Sequence, residues 1–278
     1  MITALIIIGC ILIALLIAYL IMIAPRPRRK KAIQGLCVDY AHRGLHGDGA
    51  PENSLEAFRR AVEAGFGIEL DVRQSADGTL YVFHDDSLSR MCGVDKKFIE
   101  LHDSEIDTLR LSGSEHKIPQ FDEVLALVDG KVPLLVELKG AIGDKTLCPA
   151  VAPVLDAYKG PYCVESFNSF LIQWFKKNRP GVVRGQLYTY IKESNPGQTW
   201  LHLFGDSMMM NTLSRPDFIA YNEKNERLFF LQLCLRLYRP FRFVWTTRSL
   251  ERYNELARDG KLSGQIFENF SPDAKRNH

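Results

Sequence analysis

Four short stretches of the 278-residue chain place acidic, basic and imidazole side chains at the ends of β-rich runs. In chain order they are Ala41-His42-Arg43-Gly44, Glu69-Leu70-Asp71, Phe83-His84-Asp85 and Glu137-Leu138-Lys139. Residues two apart lie on one face of a strand. Glu69 and Asp71 therefore share a face, as do Glu137 and Lys139. This composition suits the binding of a cation and the movement of protons.

The carboxylates of Glu69, Asp71 and Glu137 are candidate ligands of a divalent metal ion. Carboxylates that share a buried face repel one another unless a cation neutralises them. Because every ligand atom is an oxygen, the set favours Mg²⁺ or Ca²⁺ over Zn²⁺. The alternative is a metal-free ion network in which Arg43 and Lys139 supply the positive charge.

His42 and His84 indicate acid/base chemistry near neutral pH, because imidazole titrates there. His46 and His116 lie in loop-like segments and are interpreted as structural. Fixed positive charge beside a metal site suits an anionic phosphate that is transferred or cleaved.

The pattern of the remaining chain predicts an α/β fold. Short apolar runs alternate with amphipathic stretches, and eight of them predict strands: 38–41, 67–72, 133–138, 162–166, 183–188, 217–221, 243–246 and 265–267. Eight strands separated by helices are typical of a closed parallel (β/α)8 barrel, with the charged strand ends at its mouth. A doubly wound open sheet is the alternative.

Two local signals interrupt or refine this alternation. Asp77-Gly78 lies between two extended pieces and predicts a β-hairpin after the second strand, with a two-residue turn that pairs Asp71 with His84. A long insertion over 85–131 precedes the third barrel strand. Asn53 is predicted to cap the helix over 53–64, which ends at Gly65.

The N-terminal residues 2–24 contain no charged side chain and predict one transmembrane helix. At 1.5 Å per residue they span ~35 Å, enough for a hydrocarbon core of ~30 Å. A cleaved signal peptide fits less well, since the basic cluster follows the apolar run. The cluster places the later residues on the cytoplasmic side by the positive-inside rule. The predicted units are the helix at 1–24, a basic linker at 25–36, the barrel at 37–272 and a tail at 273–278.

Charge and cysteine content restrict the partners. The net charge of +2 gives no case for nucleic acid, and no obligate protein partner is indicated. The six cysteines have no regular spacing, which suits a reducing compartment more than a disulfide framework. We therefore expect a single-pass protein of the cell membrane with a cytoplasmic catalytic domain.

Six motifs in this order resemble the signature of the glycerophosphodiester phosphodiesterase family. They are His42-Arg43-Gly44, Pro51-Glu52-Asn53-Ser54, Glu69-Leu70-Asp71-Val72, Asp77-Gly78, His84-Asp85 and Glu137-Leu138-Lys139. The resemblance covers about residues 39–270. It implies a TIM barrel that hydrolyses a glycerophosphodiester to glycerol 3-phosphate and an alcohol.

The same resemblance implies roles for the site residues. Glu69, Asp71 and Glu137 would bind the divalent metal, and His42 and His84 would act as general base and acid. A glycerol hydroxyl would attack phosphorus to give a cyclic phosphate, which water then opens.

Further positions follow from the resemblance at the phosphate and at the rim. Arg43 and Lys139 would hold the phosphate and stabilise its transition-state charge. Glu52 matches a position close to the metal. Phe167 follows a strand-ending serine, and Trp245 matches a cleft tryptophan, although it could equally be a core residue.

Two departures from the family pattern lie at the substrate rim. Arg248 stands where many members carry asparagine, and the last strand reads Ile266-Phe267-Glu268-Asn269 in place of an ending in Thr-Asp. They leave the substrate open. Two alternatives therefore stand beside the hydrolase: a phospholipase-D-like lyase that releases a cyclic phosphate from a lysolipid, and a non-catalytic membrane-bound scaffold. The apolar stretches within 197–240 are interpreted as barrel helices, or as a rim that contacts a bilayer.

Overall fold

The computed structural model describes residues 1–27, 29–190 and 202–272, and within them eight parallel strands close into a barrel. β1 pairs with β2 on one side and with β9 on the other, so the closed barrel is confirmed and the open sheet is wrong. The barrel strands are β1 Tyr40–His42, β2 Gly67–Gln74, β4 Leu134–Leu138, β5 Tyr162–Ser166, β6 Arg184–Tyr188, β7 Phe218–Asn222, β8 Phe241–Thr247 and β9 Gly264–Phe267.

Helices cover the outside of the barrel, as the amphipathic stretches predict. They run over Leu55–Ala64, Phe121–Val128, Leu147–Ala157, Ser169–Asn178, Asn211–Ser214, Phe229–Tyr238 and Leu250–Arg258. The strand residues between the charged positions, Leu70 and Leu138, are buried in the apolar layer between strands and helices. Burial of each such side chain contributes roughly 1.5–3 kcal/mol to folding. The alternating pattern therefore turns Glu69, Asp71 and Glu137 toward the barrel axis.

Strand register then brings the charged residues together. His42 is the register partner of Glu69 in β2, and Asp71 is the register partner of Glu137 in β4. The pairing continues from Glu137 to Glu165 in β5. One layer of the barrel interior is consequently rich in carboxylates.

The opposite end of the barrel interior is apolar. Leu135, Phe218 and Phe243 fill it, and Ile33 and Leu36 pack against them from the segment that precedes β1. This end is therefore sealed, and polar chemistry is restricted to the carboxyl ends of the strands.

The hairpin forms, but its predicted register is wrong by one residue. β3 (Leu80–Val82) runs antiparallel to β2 with Val72 opposite Val82, and the amide of Phe83, not His84, donates to the Asp71 carbonyl at 2.9 Å. The amide of Ser75 donates to the carbonyl of Thr79 at 2.9 Å, so three residues, 76–78, form the turn. The third of them, Gly78, has a φ of 92°. A left-handed third residue is the normal ending of a three-residue hairpin loop.

The insertion after β3 forms its own small core. Its short helical turns are Ser89–Cys92, Phe98–Glu100, Asp103–Ile106 and Leu111–Gly113. Phe98 stacks on Phe83 with ring centroids 5.2 Å apart. The packed core fixes the chain that follows Phe83, which includes His84 and Asp85.

A separate N-terminal helix, Ile2–Ile23, is long and apolar enough to cross a membrane by length and composition, with a mean hydropathy of 3.2. The chain that follows this helix packs against the barrel, where Arg29 forms a bidentate ion pair with Asp217 at 2.7 and 2.8 Å. The helix and the barrel are thus joined by defined contacts.

Candidate active site

The end of β1 presents His42 and Arg43 to the mouth of the barrel. Arg43 has a φ of 56°, and its backbone amide donates to Glu69 Oε2 at 3.0 Å. Gly44 follows at a φ of 82°, where an added Cβ would lie 2.8 Å from the Ala57 carbonyl carbon. The chain therefore turns sharply here, and a glycine permits both the φ and the close approach of the helix.

Three carboxylates converge at the centre of the mouth. Glu69, Asp71 and Glu137 are buried, and each offers an oxygen within 4.8 Å of the others. Lys139 Nζ lies 2.7 Å from Glu137 Oε1 and 3.2 Å from Asp71 Oδ1, and Arg43 Nε lies 3.4 Å from Asp71 Oδ2. The predicted metal and phosphate residues thus form one cluster.

The two cations do not neutralise this cluster. Burial, together with the charges of Asp71 and Glu137, raises the pKa of Glu69 well above its ordinary value. Burial also raises the pKa of Glu137 to about 7, against the opposing effect of Lys139. Burial acts in the same direction on Asp71, but Lys139 and Arg43 hold the pKa of that carboxyl below its ordinary value. The site therefore retains protons at neutral pH.

These residues fit a hard divalent cation. Asp71 Oδ1 is buried and accepts no hydrogen bond from any residue that the structure describes, although it lies beside Lys139. Carboxylate oxygens alone make up the ligand set, and burial together with mutual repulsion raises the pKa of Glu69, as expected for carboxylates that lack a neutralising cation. A metal ion would supply the missing positive charge.

Each candidate catalytic histidine is held by a carboxylate. His42 Nδ1 contacts Glu268 Oε2, and His84 Nδ1 lies 2.6 Å from Asp85 Oδ1. His42 Nε2 faces Glu69, 3.9 Å from its Oε2. Burial lowers the pKa of both imidazoles, so both favour the neutral form at pH 7. A carboxylate on Nδ1 leaves Nε2 as the nitrogen that exchanges protons.

Glu52 lies at one wall of the site and links its two sides. Its Oε1 accepts from Arg43 at 2.7 Å and from Arg90 at 2.6 Å. Arg90 also donates to Asp85 Oδ2 at 2.6 Å. This chain of ion pairs connects Arg43 with the carboxylate that holds His84.

The two predicted rim aromatics form one wall over the mouth. The rings of Phe167 and Trp245 meet edge to face with centroids 5.5 Å apart, although β6 and β7 lie between their strands. Phe167 is 43% exposed, whereas Trp245 is half-buried. Both rings are available to a bound molecule.

Two supporting residues were not identified from the sequence. Asn53 was predicted to cap a helix, but Ser54 makes that cap, and the Asn53 amide donates to Asp71 Oδ2 at 2.9 Å. Glu268 was noted only as a departure at the rim, whereas it contacts His42. Ser54 is also a residue type that caps helices, so the sequence contained a signal that Asn53 was free for another role. It contained no comparable signal for Glu268.

Comparison with known proteins finds similarity to phosphodiesterases. Residues 42–157 match the sequence model of the glycerophosphoryl diester phosphodiesterase family. A curated glycerophosphodiester phosphodiesterase of Caldanaerobacter subterraneus is 33% identical over 53% of this chain and 65% of its own length. The chain thus spans less than two thirds of that relative.

Solved structures share the fold over a longer range. A glycerophosphodiester phosphodiesterase of Thermotoga maritima superposes with a TM-score of 0.62 at 28% identity, covering 82% of this chain and 92% of that one. An Oleispira antarctica phosphodiesterase, solved with the product sn-glycerol-3-phosphate, gives 0.67 at 24% identity over 82% and 91%. The second likeness concerns the fold alone.

Proposed function

Because residues 42–157 match the glycerophosphoryl diester phosphodiesterase model, we propose that the chain belongs to this family and hydrolyses glycerophosphodiesters to glycerol 3-phosphate and an alcohol. The observation that carries the proposal is the convergence of three carboxylates, two cations and two histidines at one barrel mouth. This combination provides for charge neutralisation, phosphate binding and proton transfer together.

Glu69, Asp71 and Glu137 would hold a divalent ion, Mg²⁺ or Ca²⁺, through oxygen ligands only. The ion would supply Lewis-acid stabilisation of charge on the substrate. Arg43 and Lys139 lie beside the same carboxylates, so their charges would bind the phosphate oxygens at the cluster.

His42 is the proposed general base. Its lowered pKa keeps it neutral, and Nε2 would take the proton of a glycerol hydroxyl as that oxygen attacks phosphorus. His84 is the proposed acid, since a lowered pKa makes its protonated form a stronger donor to the leaving alcohol. Water then opens the cyclic phosphate with the two roles exchanged. Glu268 and Asp85 would keep both rings oriented.

Glu52 would keep Arg43 in place, and Phe167 and Trp245 would contact the alcohol part of the substrate. The contact between these rings spans the mouth, so a substrate that reaches the carboxylates passes beside them.

We further propose that the N-terminal helix spans the membrane once and that the barrel, over 37–272, lies on the cytoplasmic side. The support is the uncharged helix followed by the basic residues Arg26, Arg28, Arg29, Lys30 and Lys31. Protease added outside intact cells should leave the barrel uncut; cleavage within the barrel would contradict this orientation.

The activity is tested on the purified full chain in detergent, stripped of metal. Glycerophosphocholine and glycerophosphoethanolamine are supplied with Mg²⁺ or Ca²⁺, and phosphorus NMR identifies the products. Metal-dependent glycerol phosphate should form, be lost in Glu69→Ala and His42→Ala, and persist in His116→Ala, whose ring bonds the carbonyl of Gly49 in a loop. Accumulated cyclic phosphate would indicate the lyase, and no turnover of diesters or lysolipids would indicate the scaffold.

A further inference from the structure

Among the residues that the structure describes, the N-terminal helix contacts the barrel through its last turn and a half. Residues 2–18 are exposed apart from a half-buried Gly9, whereas Ile23 is fully buried among barrel side chains. Polar contacts fix this end: Tyr238 Oη donates to the Leu20 carbonyl at 2.6 Å, and Asn211 Nδ2 donates to the Ile23 carbonyl at 2.8 Å. The direction of the helix relative to the barrel is therefore set by these contacts.

The helix leaves the barrel on the side of the active-site mouth. Beyond the helix, Arg29 binds Asp217 at the amino end of β7. Tyr19, four residues before Ile23, instead donates to the carbonyl of Ser207 at 3.1 Å and meets the Phe230 ring at 6.1 Å. Ser207 and Phe230 lie in the segments that follow the carboxyl ends of β6 and β7.

The length of the helix favours a bilayer that reaches the barrel. Residues 2–18, which are clear of the barrel, span only ~25 Å at 1.5 Å per residue. A hydrocarbon core of ~30 Å needs ~20 residues. A core of this average thickness therefore extends to the residues that pack against the barrel, near Tyr19 and Phe230.

An exposed apolar patch occupies this position. It consists of Leu203 and Phe204 after β6, and Phe229 and Phe230 after β7, and is called the rim patch below. Leu203 and Phe229 are 62% and 71% exposed, which is costly for large apolar side chains in water.

Positive charge lies beside the rim patch. Lys224 and Arg227, in the loop that leads to Phe229, are both exposed. Apolar rings flanked by basic side chains match the headgroup layer, where the rings enter the acyl boundary and the cations meet lipid phosphates.

We propose that the rim patch is a bilayer-docking surface that inserts into the headgroup layer of the leaflet into which the N-terminal helix passes. Docking holds the mouth side of the barrel at the membrane, so the orientation of the barrel relative to the bilayer is fixed. The proposal rests on the geometry of the helix and not on the chemistry of the active site.

The test places single tryptophan probes in the full chain, reconstituted in vesicles whose lipids carry bromine on the upper acyl chain. Bromine quenches tryptophan on contact, and the native tryptophans give the background. The tryptophan fluorescence of Phe229→Trp should fall in brominated vesicles relative to unbrominated ones. The fluorescence of Leu12→Trp, within the helix, should fall as well. Ile99→Trp is the matched control, because Ile99 is 57% exposed but lies in the insertion beside β2, across the barrel from β7.

The docking surface is overturned if tryptophan at position 229 is quenched no more than tryptophan at position 99 while tryptophan at position 12 is quenched. That result would leave the membrane span intact. Absence of quenching at position 12 would remove the span and the proposal with it. Neither readout depends on turnover, so the result is separate from the fate of the proposed phosphodiesterase activity.

Discussion

Replacement of Glu69 by glutamine separates a metal site from a metal-free ion network. Burial and two neighbouring carboxylates raise the pKa of Glu69 well above its ordinary value, which favours its protonated form in the metal-free protein. Glutamine has the shape of the protonated acid and can still accept from the Arg43 amide. The metal-free stability should therefore change by less than about 1 kcal/mol.

The effect of metal should disappear in the same variant. A ligand at 100 times its dissociation constant stabilises the native state by about 2.7 kcal/mol. For a domain of this size that corresponds to a rise in melting temperature of roughly 5–10 °C. Thermal unfolding of the full chain in detergent, with EDTA or with Mg²⁺ or Ca²⁺, should show the rise in the native protein and not in Glu69→Gln.

Glu165→Gln is the matched control. Glu165 is equally buried, its pKa is also raised by burial and by Glu137, and it lies beside the triad without belonging to it. It should retain the metal-dependent rise. The reasoning is refuted if Glu69→Gln keeps the rise, or if it strongly destabilises the metal-free protein, since the carboxylate would then be an essential charge of an ion network.

Three other outcomes are expected. Glu268→Gln removes a charge that favours protonated His42, so the acidic limb of the kcat/KM profile should move to lower pH with a loss of about 10- to 100-fold in rate; an unmoved limb would count against the pairing. Asn53→Ala removes a hydrogen bond to buried Asp71 and should cost about 1–3 kcal/mol in urea unfolding, so a change near zero would be inconsistent with the contact. Because the pKa of Glu137 is raised to about 7, metal binding should release protons and weaken as the pH falls below that value; calorimetry in buffers of different ionisation enthalpy would detect the release, and its absence would contradict the shift.

The sequence predicted the parts of the fold that depend only on the two-residue alternation of a strand. Alternation at Glu69-Leu70-Asp71 placed its charges on the interior face whatever the exact strand pairing. The hairpin register depended instead on the length of the turn. Asp77-Gly78 is compatible with two or three turn residues, and a change of one residue moved the partner of Asp71 from His84 to Phe83. His84 still reaches the site because the core of the insertion fixes the chain after Phe83.

The candidate site was predictable where its residues lie on strands and less so where they come from loops. Carboxylates and histidines at strand ends converge through barrel closure, which topology alone guarantees. Asn53 reaches Asp71 only because the loop before its helix adopts a φ of 57° at that residue, a conformation that no local pattern specifies. Its side chain was available for the site because Ser54 made the helix cap.

The two departures from the family pattern belong to one structural unit. Arg248 Nε donates to Glu268 Oε1 at 2.6 Å, and the other oxygen of Glu268 contacts His42. A carboxylate on a buried imidazole would by itself favour the protonated ring, but here its charge is shared with an exposed guanidinium. Burial and the charge of Arg43 outweigh the carboxylate, so the pKa of His42 is lowered despite the contact. A rim arginine and a carboxylate at the end of the last strand thus hold the imidazole of His42, the proposed base, in one orientation.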